Sequence, residues 1–408
     1  MDRLLTHLDR GDRRARRNVA VLFFAQAVLG SQLQITIVLS GLAGAMLADT
    51  PLLATLPISL VMFTAVFGAP LASIFMGKFG RRVGFLVGAC GGCVGGVLAT
   101  IALLLSSFEL LLLSAIFTGV YYSFHGFYRF AAADTASDAF RPKAISWVLA
   151  GGLVGAIIGS EVVQNFSDLF APTPFAGAYA VVVLLNVIGA IGVLFLDIPL
   201  PSLDDKDVRG GRPLGVIVRQ PETFIAILCG MISYGVMALV MTSTSLAMVE
   251  HEFTSGQAAD VVRWHAFFMF GPSFVTGTII GRFGNLRVMG LGLLMLGISC
   301  FIGLSGVELG QFYGALIFLG FGWNFSFIGA TTLLSVTYRT NERAKVQGLN
   351  DFLVLGTVSM ASFLSGVLLN FYGWSMVQVA AMPALAIAAI SLAWLAIYRR
   401  GRVVMTSF

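Results

Sequence analysis

The sequence is short of charge. Asp, Glu, Lys and Arg make up 11% of its 408 residues, against 57% hydrophobic, and the mean hydropathy is +0.90. Soluble domains are about 25% charged, so this shortage excludes a water-soluble fold and leaves the bilayer as solvent. Cysteine is scarce as well. Cys90, Cys93, Cys229 and Cys300 all lie inside apolar runs, which argues against a disulfide framework or a zinc site and favours packing as small hydrophobes. There is no Gly-x-x-x-x-Gly-Lys-Ser/Thr loop, hence no sign of a nucleotide-driven pump. Nucleophile–base and metal-ligand spacings are missing too, so neither an enzyme nor a cofactor is expected. The net charge of +5 does not imply nucleic acid, because no basic groove interleaved with aromatics accompanies it.

What is present is a series of long apolar runs. A spanning helix needs about 20 such residues. Runs near 18–46, 52–76, 83–105, 109–133, 143–165 and 177–196 meet that length, as do runs near 222–249, 258–280, 288–306, 310–337, 345–370 and 373–398. The first exceeds a cleavable signal core and is read as a retained span. The expectation is therefore an all-α membrane protein with twelve transmembrane helices.

The charges that do occur are sorted by side. With both ends cytoplasmic, alternate connections collect 23 of the 25 Lys and Arg, and the two others, Arg129 and Arg263, fall inside spans. The opposite loops carry acids and no Lys or Arg, which satisfies the positive-inside rule for a bacterial inner membrane. A polar stretch rich in Pro and Gly splits the chain. The expected organisation is a basic arm 1–17, a six-helix bundle 18–196, a cytoplasmic linker 197–221, a second bundle 222–398 and a tail 399–408.

The two bundles echo each other. Gly77-Lys-Phe-Gly-Arg-Arg82 joins spans 2 and 3, and Gly281-Arg-Phe-Gly-Asn285 joins spans 8 and 9. Spans 5 and 11 open alike, with Arg141-Pro-Lys-Ala144 and Arg343-Ala-Lys345. Repeated six-helix halves are a transporter architecture. The repeated loop resembles the loop 2–3 signature of the major facilitator superfamily. Lys78, Gly80, Arg81 and Arg82 match it, whereas Gly77 stands where the acid belongs and Ser73 where the leading glycine belongs; Gly277, Arg282 and Gly284 match in the second half. The segment from Gly322-Trp-Asn-Phe325 to Gln347-Gly-Leu-Asn-Asp351 is similar to a bacterial subgroup of that superfamily with relatives linked to riboflavin uptake. The antiporter motif of span 5 is not matched by Gly155-Ala-Ile-Ile-Gly159-Ser160.

The resemblance implies two pseudo-symmetric bundles, alternating access, and a cavity lined by spans 1, 4, 7 and 10. Polar residues gather on those same spans. Gln26, Gln32 and Gln34 lie on span 1, and Tyr121, Tyr122, His125, Tyr128 and Arg129 on span 4. Tyr234 and Thr242 lie on span 7, with Trp323 and Asn324 on span 10. Tyr121, His125 and Arg129 recur every four residues and form one helical stripe. Ionisable residues in hydrocarbon are functional candidates because their placement is costly. Arg129 has two readings, cavity lining or snorkelling to the inner boundary; His125 is suited to proton coupling or to packing.

Glu161, Arg263 and His265 are candidates for proton coupling or an outer gate, with Glu161–Arg263 as a pair or Glu161 as a buried proton carrier. Lys78, Arg81, Arg82, Asp134, Asp138 and Asp351 are candidates for an inner gate. The expected partners are a small-molecule substrate, protons and the lipid bilayer, with the chain monomeric. A secondary transporter leads, importing or exporting; an assembly factor with the same fold is the alternative from another class. The glycines at 88, 92 and 96 and at 151, 155 and 159 are expected to let helices approach closely.

Overall fold

A computed structural model describes residues 2–50, 53–199 and 211–405, with side chains described for all but 2–12, 255 and 401–405. The middle of the expected linker, including Lys206 and Arg209, lies outside the described residues. Every long element among them is helical. In chain order these are α1 (Asp2–Val28), α2 (Ser31–Leu47), α3 (Leu56–Phe79), α4 (Arg81–Leu104) and α5 (Phe108–His125). Next come α6 (Tyr128–Asp134), α7 (Arg141–Phe166), α8 (Ala176–Val193), α9 (Leu214–Val218) and α10 (Pro221–Glu250). The last are α11 (Ser255–Phe270), α12 (Ser273–Phe283), α13 (Asn285–Leu304), α14 (Leu309–Leu334) and α15 (Arg343–Met405).

Ten stretches among the described residues are helical, long and apolar enough to cross a membrane, against the twelve expected. The differences have local causes. The eighth expected span is divided at Gly271-Pro272 into α11 and α12, because proline offers no N–H and its ring crowds the carbonyl four residues back. The eleventh and twelfth spans run on as α15, which turns at Gly373 with φ 77°. Large apolar side chains stand exposed along the helices, Leu71 at 69%, Phe363 at 77% and Ile390 at 70%. Such a surface suits hydrocarbon and not water.

The chain divides into two compact units. Unit 1 comprises Met1–Phe140, Trp147–Gly210 and Thr340–Phe352; unit 2 comprises Arg141–Ser146, Gly211–Arg339 and Leu353–Phe408. The first turns of α7 thus belong to unit 2, and those of α15 to unit 1. Within unit 1, Ile35, Leu39, Ala99, Leu103, Leu111 and Tyr179 form one buried cluster.

The repeated loop is repeated in conformation. Gly80 (φ 89°) ends α3 and starts α4, and Gly284 (φ 87°) does the same between α12 and α13. Only glycine adopts this backbone without strain. The glycine stripes are packing faces, as expected. A Cβ on Gly88 would lie 2.9 Å from Phe124 Cβ, and one on Gly155 would lie 3.1 Å from the Ala27 carbonyl oxygen.

Candidate substrate site and the charged network beside it

The fourth expected span is not one helix. α5 stops at His125 and α6 starts at Tyr128, with Gly126 and Phe127 in a tighter turn closed by Phe127 N–H to Phe124 O at 3.1 Å. The first span is interrupted as well, at Leu29-Gly30 between α1 and α2. The two interruptions face each other. A Cβ on Gly30 would lie 3.2 Å from both His125 Nε2 and Gln26 Nε2. Broken helices with freed backbone and polar side chains are where transporters of this architecture place their sites.

An aromatic cluster surrounds His125. Its ring centroid lies 5.5 Å from Tyr121, 6.3 Å from Tyr122 and 5.1 Å from Tyr128, and Tyr128 meets Phe85 edge-on at 4.6 Å. Tyr121 and Tyr128 are almost fully buried. Buried phenols normally find a hydrogen-bond partner, yet the Tyr121 hydroxyl and His125 Nε2 have none among the described residues. Four of the five polar residues expected on span 4 thus form a patch of flat rings with unspent donors and acceptors. Apolar and aromatic walls with a few polar groups that fix orientation are the usual makeup of a small-molecule site.

The fifth, Arg129, has another role. It is 7% exposed and forms a buried ion pair with Asp351. Its Nη1 donates to the Gly126 carbonyl at 2.7 Å, which satisfies an oxygen freed by the helix break. A Cβ on Gly126 would lie 2.8 Å from Asp351 Oδ2, so a larger residue here would push the carboxylate aside. Asn350 Nδ2 donates to Asp351 Oδ1 at 2.9 Å. Of the two readings of Arg129, snorkelling gives way to a buried pair.

Next to it, Asp134 receives two arginines, Arg81 Nε at 2.9 Å and Arg343 Nη1 at 3.0 Å. Arg81 also donates to Gln347 Oε1 at 2.5 Å, and Ser73 Oγ to the Ala344 carbonyl at 2.8 Å. Arg81, Asp134 and Asp351, three of the six expected inner-gate residues, therefore lie in one buried network within unit 1. Lys78, Arg82 and Asp138 are exposed at its margin.

Unit 2 has its own aromatic cluster. Trp323 stacks on Phe327 at 4.9 Å and meets Tyr234 at 5.3 Å and Phe270 at 5.8 Å; Trp323 Nε1 has no partner among the described residues. Thr242 is half-buried. Asn324 departs from the cavity expectation. It is fully buried, donating to Met269 O (2.7 Å) and Ser273 Oγ (2.6 Å) and accepting from Thr276 Oγ1 (2.6 Å). It ties α14 across the break between α11 and α12.

Gln32 departs likewise, since its Oε1 accepts from Asn186 Nδ2 at 2.8 Å and so joins α2 to α8. Gln34 is half-buried beside Gly159. Glu161 is exposed rather than buried, and Asn165 one turn on donates to its carboxylate at 2.9 Å. Arg263 is exposed and pairs with Asp260 on its own helix at 2.9 Å. His265 is buried, its Nδ1 2.9 Å from the Leu316 carbonyl, and packs α11 on α14.

Several participants were missed in the sequence. Gly30 and Gly126 mark the helix breaks, and a glycine within a polar stretch of a span is the signal that was available. Arg343 reads as one more basic loop residue until Asp134 is beside it. Asn186 is a lone amide in an apolar run, and nothing in its surroundings points to Gln32.

Residues 19–353 match the family model for the Major Facilitator Superfamily. The riboflavin transporter RfnT of Brucella anthropi is 41% identical over 380 residues, which cover 93% of this chain and 95% of that one. The human organic anion transporter MFSD10 (TETRAN) superposes with a TM-score of 0.76 at 15% identity, covering 93% of this chain and 99% of its own. The superfamily transporter FucP gives 0.74 at 16% identity, with 92% and 97% covered. These two structures share the fold.

Proposed function

From a chain that belongs to the major facilitator superfamily and is a transporter by family and fold, we infer an importer of riboflavin, or of a solute with the same flat ring system and polar chain. The observation that carries this reading is the 41% identity to a riboflavin transporter along nearly the whole of both chains. The unit 1 site supports it. Tyr121, Tyr122 and Tyr128 offer ring faces, and the Tyr121 hydroxyl and His125 Nε2 offer polar contacts to ring edges. Tyr234 and Trp323 offer a second aromatic surface in unit 2.

Transport proceeds by alternating access in a bacterial inner membrane, with both ends of the chain cytoplasmic, the chain monomeric and six spans in each bundle. Protons drive it. His125 is the proposed carrier, because it sits among the site's rings with Nε2 open and lies one turn from Arg129. The Arg129–Asp351 and Arg81–Asp134–Arg343 contacts are the proposed inner latch, undone and remade in each cycle.

The test is uptake of radiolabelled riboflavin by a riboflavin-auxotrophic bacterium expressing the chain, with and without a proton uncoupler. Uptake that the uncoupler abolishes is expected, and His125→Gln should retain binding while losing accumulation. No uptake by protein present in the membrane ends the flavin reading. Uptake that ignores the uncoupler ends proton coupling, and net efflux from preloaded cells reverses the direction.

A further inference from the structure

Outside the site, a groove of about 520 Å³ lies in unit 2 between α13 and the last third of α15. Both walls belong to helices long and apolar enough to cross a membrane. Leu293, Leu294 and Phe301 line it from α13, Leu385 and Leu392 from α15, and Arg287 closes one end. From Arg287 to Ile298 the wall rises about 16 Å along the helix. That matches one leaflet, half of a hydrocarbon core about 30 Å thick.

The groove is not a by-product of close helix packing. Elsewhere on α13 glycines are needed for approach: a Cβ on Gly292 would lie 2.9 Å from Ser326 Cα, and one on Gly303 would lie 2.8 Å from Gln378 Cδ. At Gly297, in the groove floor, a Cβ would meet nothing within 4 Å, and at Gly290 only Leu392 at 3.8 Å. Facing them are Ala386, Ala389, Ala393 and Ala396. Small residues here keep a channel open instead of closing two helices together.

The cationic end is built from two exposed arginines without an ion pair among the described residues. Arg287 is exposed and forms no ion pair among the described residues. Arg400 lies four residues beyond Ala396, hence over the same helix face, and is also exposed and without an ion pair among the described residues. A second apolar groove, of about 470 Å³ in unit 1 between α1 and α8, has no charged residue in its lining, whereas Arg287 lines the first. Arg17, one turn before Ala20, donates to the Phe195 carbonyl at 3.2 Å.

We propose that the α13–α15 groove is a binding site for one anionic phospholipid, its acyl chain along Leu293, Gly297 and Ala389 and its phosphate on Arg287 and Arg400. The occupant follows from the surroundings: an apolar channel one leaflet long, opening to hydrocarbon, with unpaired cations where the headgroups lie. Basic side chains at a membrane surface favour anionic over neutral lipid by about fivefold each.

The experiment is native mass spectrometry of the full chain released from nanodiscs of equal phosphatidylglycerol and phosphatidylcholine. One retained phosphatidylglycerol per chain is expected. Gly297→Leu, which fills the channel from a position where a side chain meets no protein atom, should remove it. Arg287→Gln should cut the preference for phosphatidylglycerol about fivefold, and adding Arg400→Gln should bring it near parity. Ala389→Leu on the opposite wall repeats the filling test should the first variant fail to fold. Equal retention of both lipids by the parent chain, or undiminished phosphatidylglycerol on both folded filled variants, overturns the proposal. So does a dimer mass that both filled variants abolish, since the groove would then seat a second copy.

Discussion

The same loop, repeated in the two halves of the chain, has been put to two different uses. In unit 1 the residues around Gly80 enter a charged network: Arg81 with Asp134 and Gln347, Arg343 with Asp134, and Ser73 with the Ala344 carbonyl at the start of the eleventh span. In unit 2 the corresponding tie to the start of α7 is neutral. Ser146 Oγ donates to the Ser273 carbonyl and accepts from Gly277 N–H at 3.0 Å. A Cβ on Gly277 would lie 2.5 Å from Lys143 Cα. Gly284 is left-handed like Gly80, yet Arg282 beside it is exposed, 5.5 Å from the Phe283 ring. One copy holds its partner segment by charge, the other by close backbone approach. A charged tie responds to protons and potential, whereas a steric one responds mainly to shape. The proposed latch rests on the charged tie alone.

The comparison is broken most severely at Asp351. Asp351→Ala leaves Arg129 buried without its carboxylate, at an expected cost of about 3–5 kcal/mol. Thermal unfolding in detergent measures this as a large fall in melting temperature. The double variant Arg129→Met with Asp351→Leu should recover most of the stability, because a buried pair and well-packed apolar side chains of similar volume are often equivalent. It should also abolish accumulation, if the pair works as a latch. A double variant as unstable as Asp351→Ala alone would show that the ionic pair itself is what holds these helices.

The neutral tie should respond to volume and not to charge. Gly277→Ala forces a methyl against the backbone at Pro142 and Lys143, an overpacking expected to cost about 1–3 kcal/mol. Ser146→Ala removes a hydroxyl that serves both a carbonyl and an N–H, for about 1 kcal/mol. Neither should change with salt or pH. A salt-dependent loss at Gly277 would mean that the second tie carries hidden electrostatics.

At the site, Tyr121→Phe separates recognition from folding. The hydroxyl has no partner among the described residues, so its removal should leave stability unchanged or slightly raised. Flavin affinity, read by quenching of flavin fluorescence, should fall by about 0.5–1.5 kcal/mol for the lost hydrogen bond. Unaltered affinity would place the flavin elsewhere.

Much of this is legible in the sequence alone. The shortage of charge fixed the solvent, the alternation of apolar runs fixed the class, and the repeated loop pointed to two halves. Span 4 could be singled out because helical periodicity alone puts Tyr121, His125 and Arg129 on one stripe. What could not be read was pairing at a distance. Asp351 is 222 residues from Arg129, and only packing decides that it meets Arg129 while Glu161, as isolated in the sequence, is answered by Asn165 one turn away. Polarity also misled at Gln32 and Asn324. An amide in an apolar span reads as cavity lining, but a buried helix–helix hydrogen bond needs the same residue, and sequence does not distinguish the two. The count of twelve became ten because Pro272 cuts one run that hydropathy joins and because the last two runs continue through Gly373 as α15.

The smallest expected effect is the one that most sharpens the contrast within the signature loop. Lys78, Arg81 and Arg82 match the superfamily pattern equally well, but their surroundings differ. Arg81 is 6% exposed and its guanidinium is divided between Asp134 and Gln347. Lys78 is exposed, its ammonium 5.2 Å from the Phe79 ring. Solvated charges of this kind contribute at most about 1 kcal/mol. Lys78→Ala should therefore leave melting temperature and uptake within error of the parent chain, and Arg81→Ala should lose both. The acid that the superfamily pattern places at position 77 is a glycine here, so Lys78 has no neighbouring carboxylate on its own loop, whereas Arg81 reaches Asp134 on α6 instead. If Lys78→Ala proved as damaging as Arg81→Ala, the whole loop would be working as an electrostatic unit, and the division between buried and exposed basic residues would have to be abandoned.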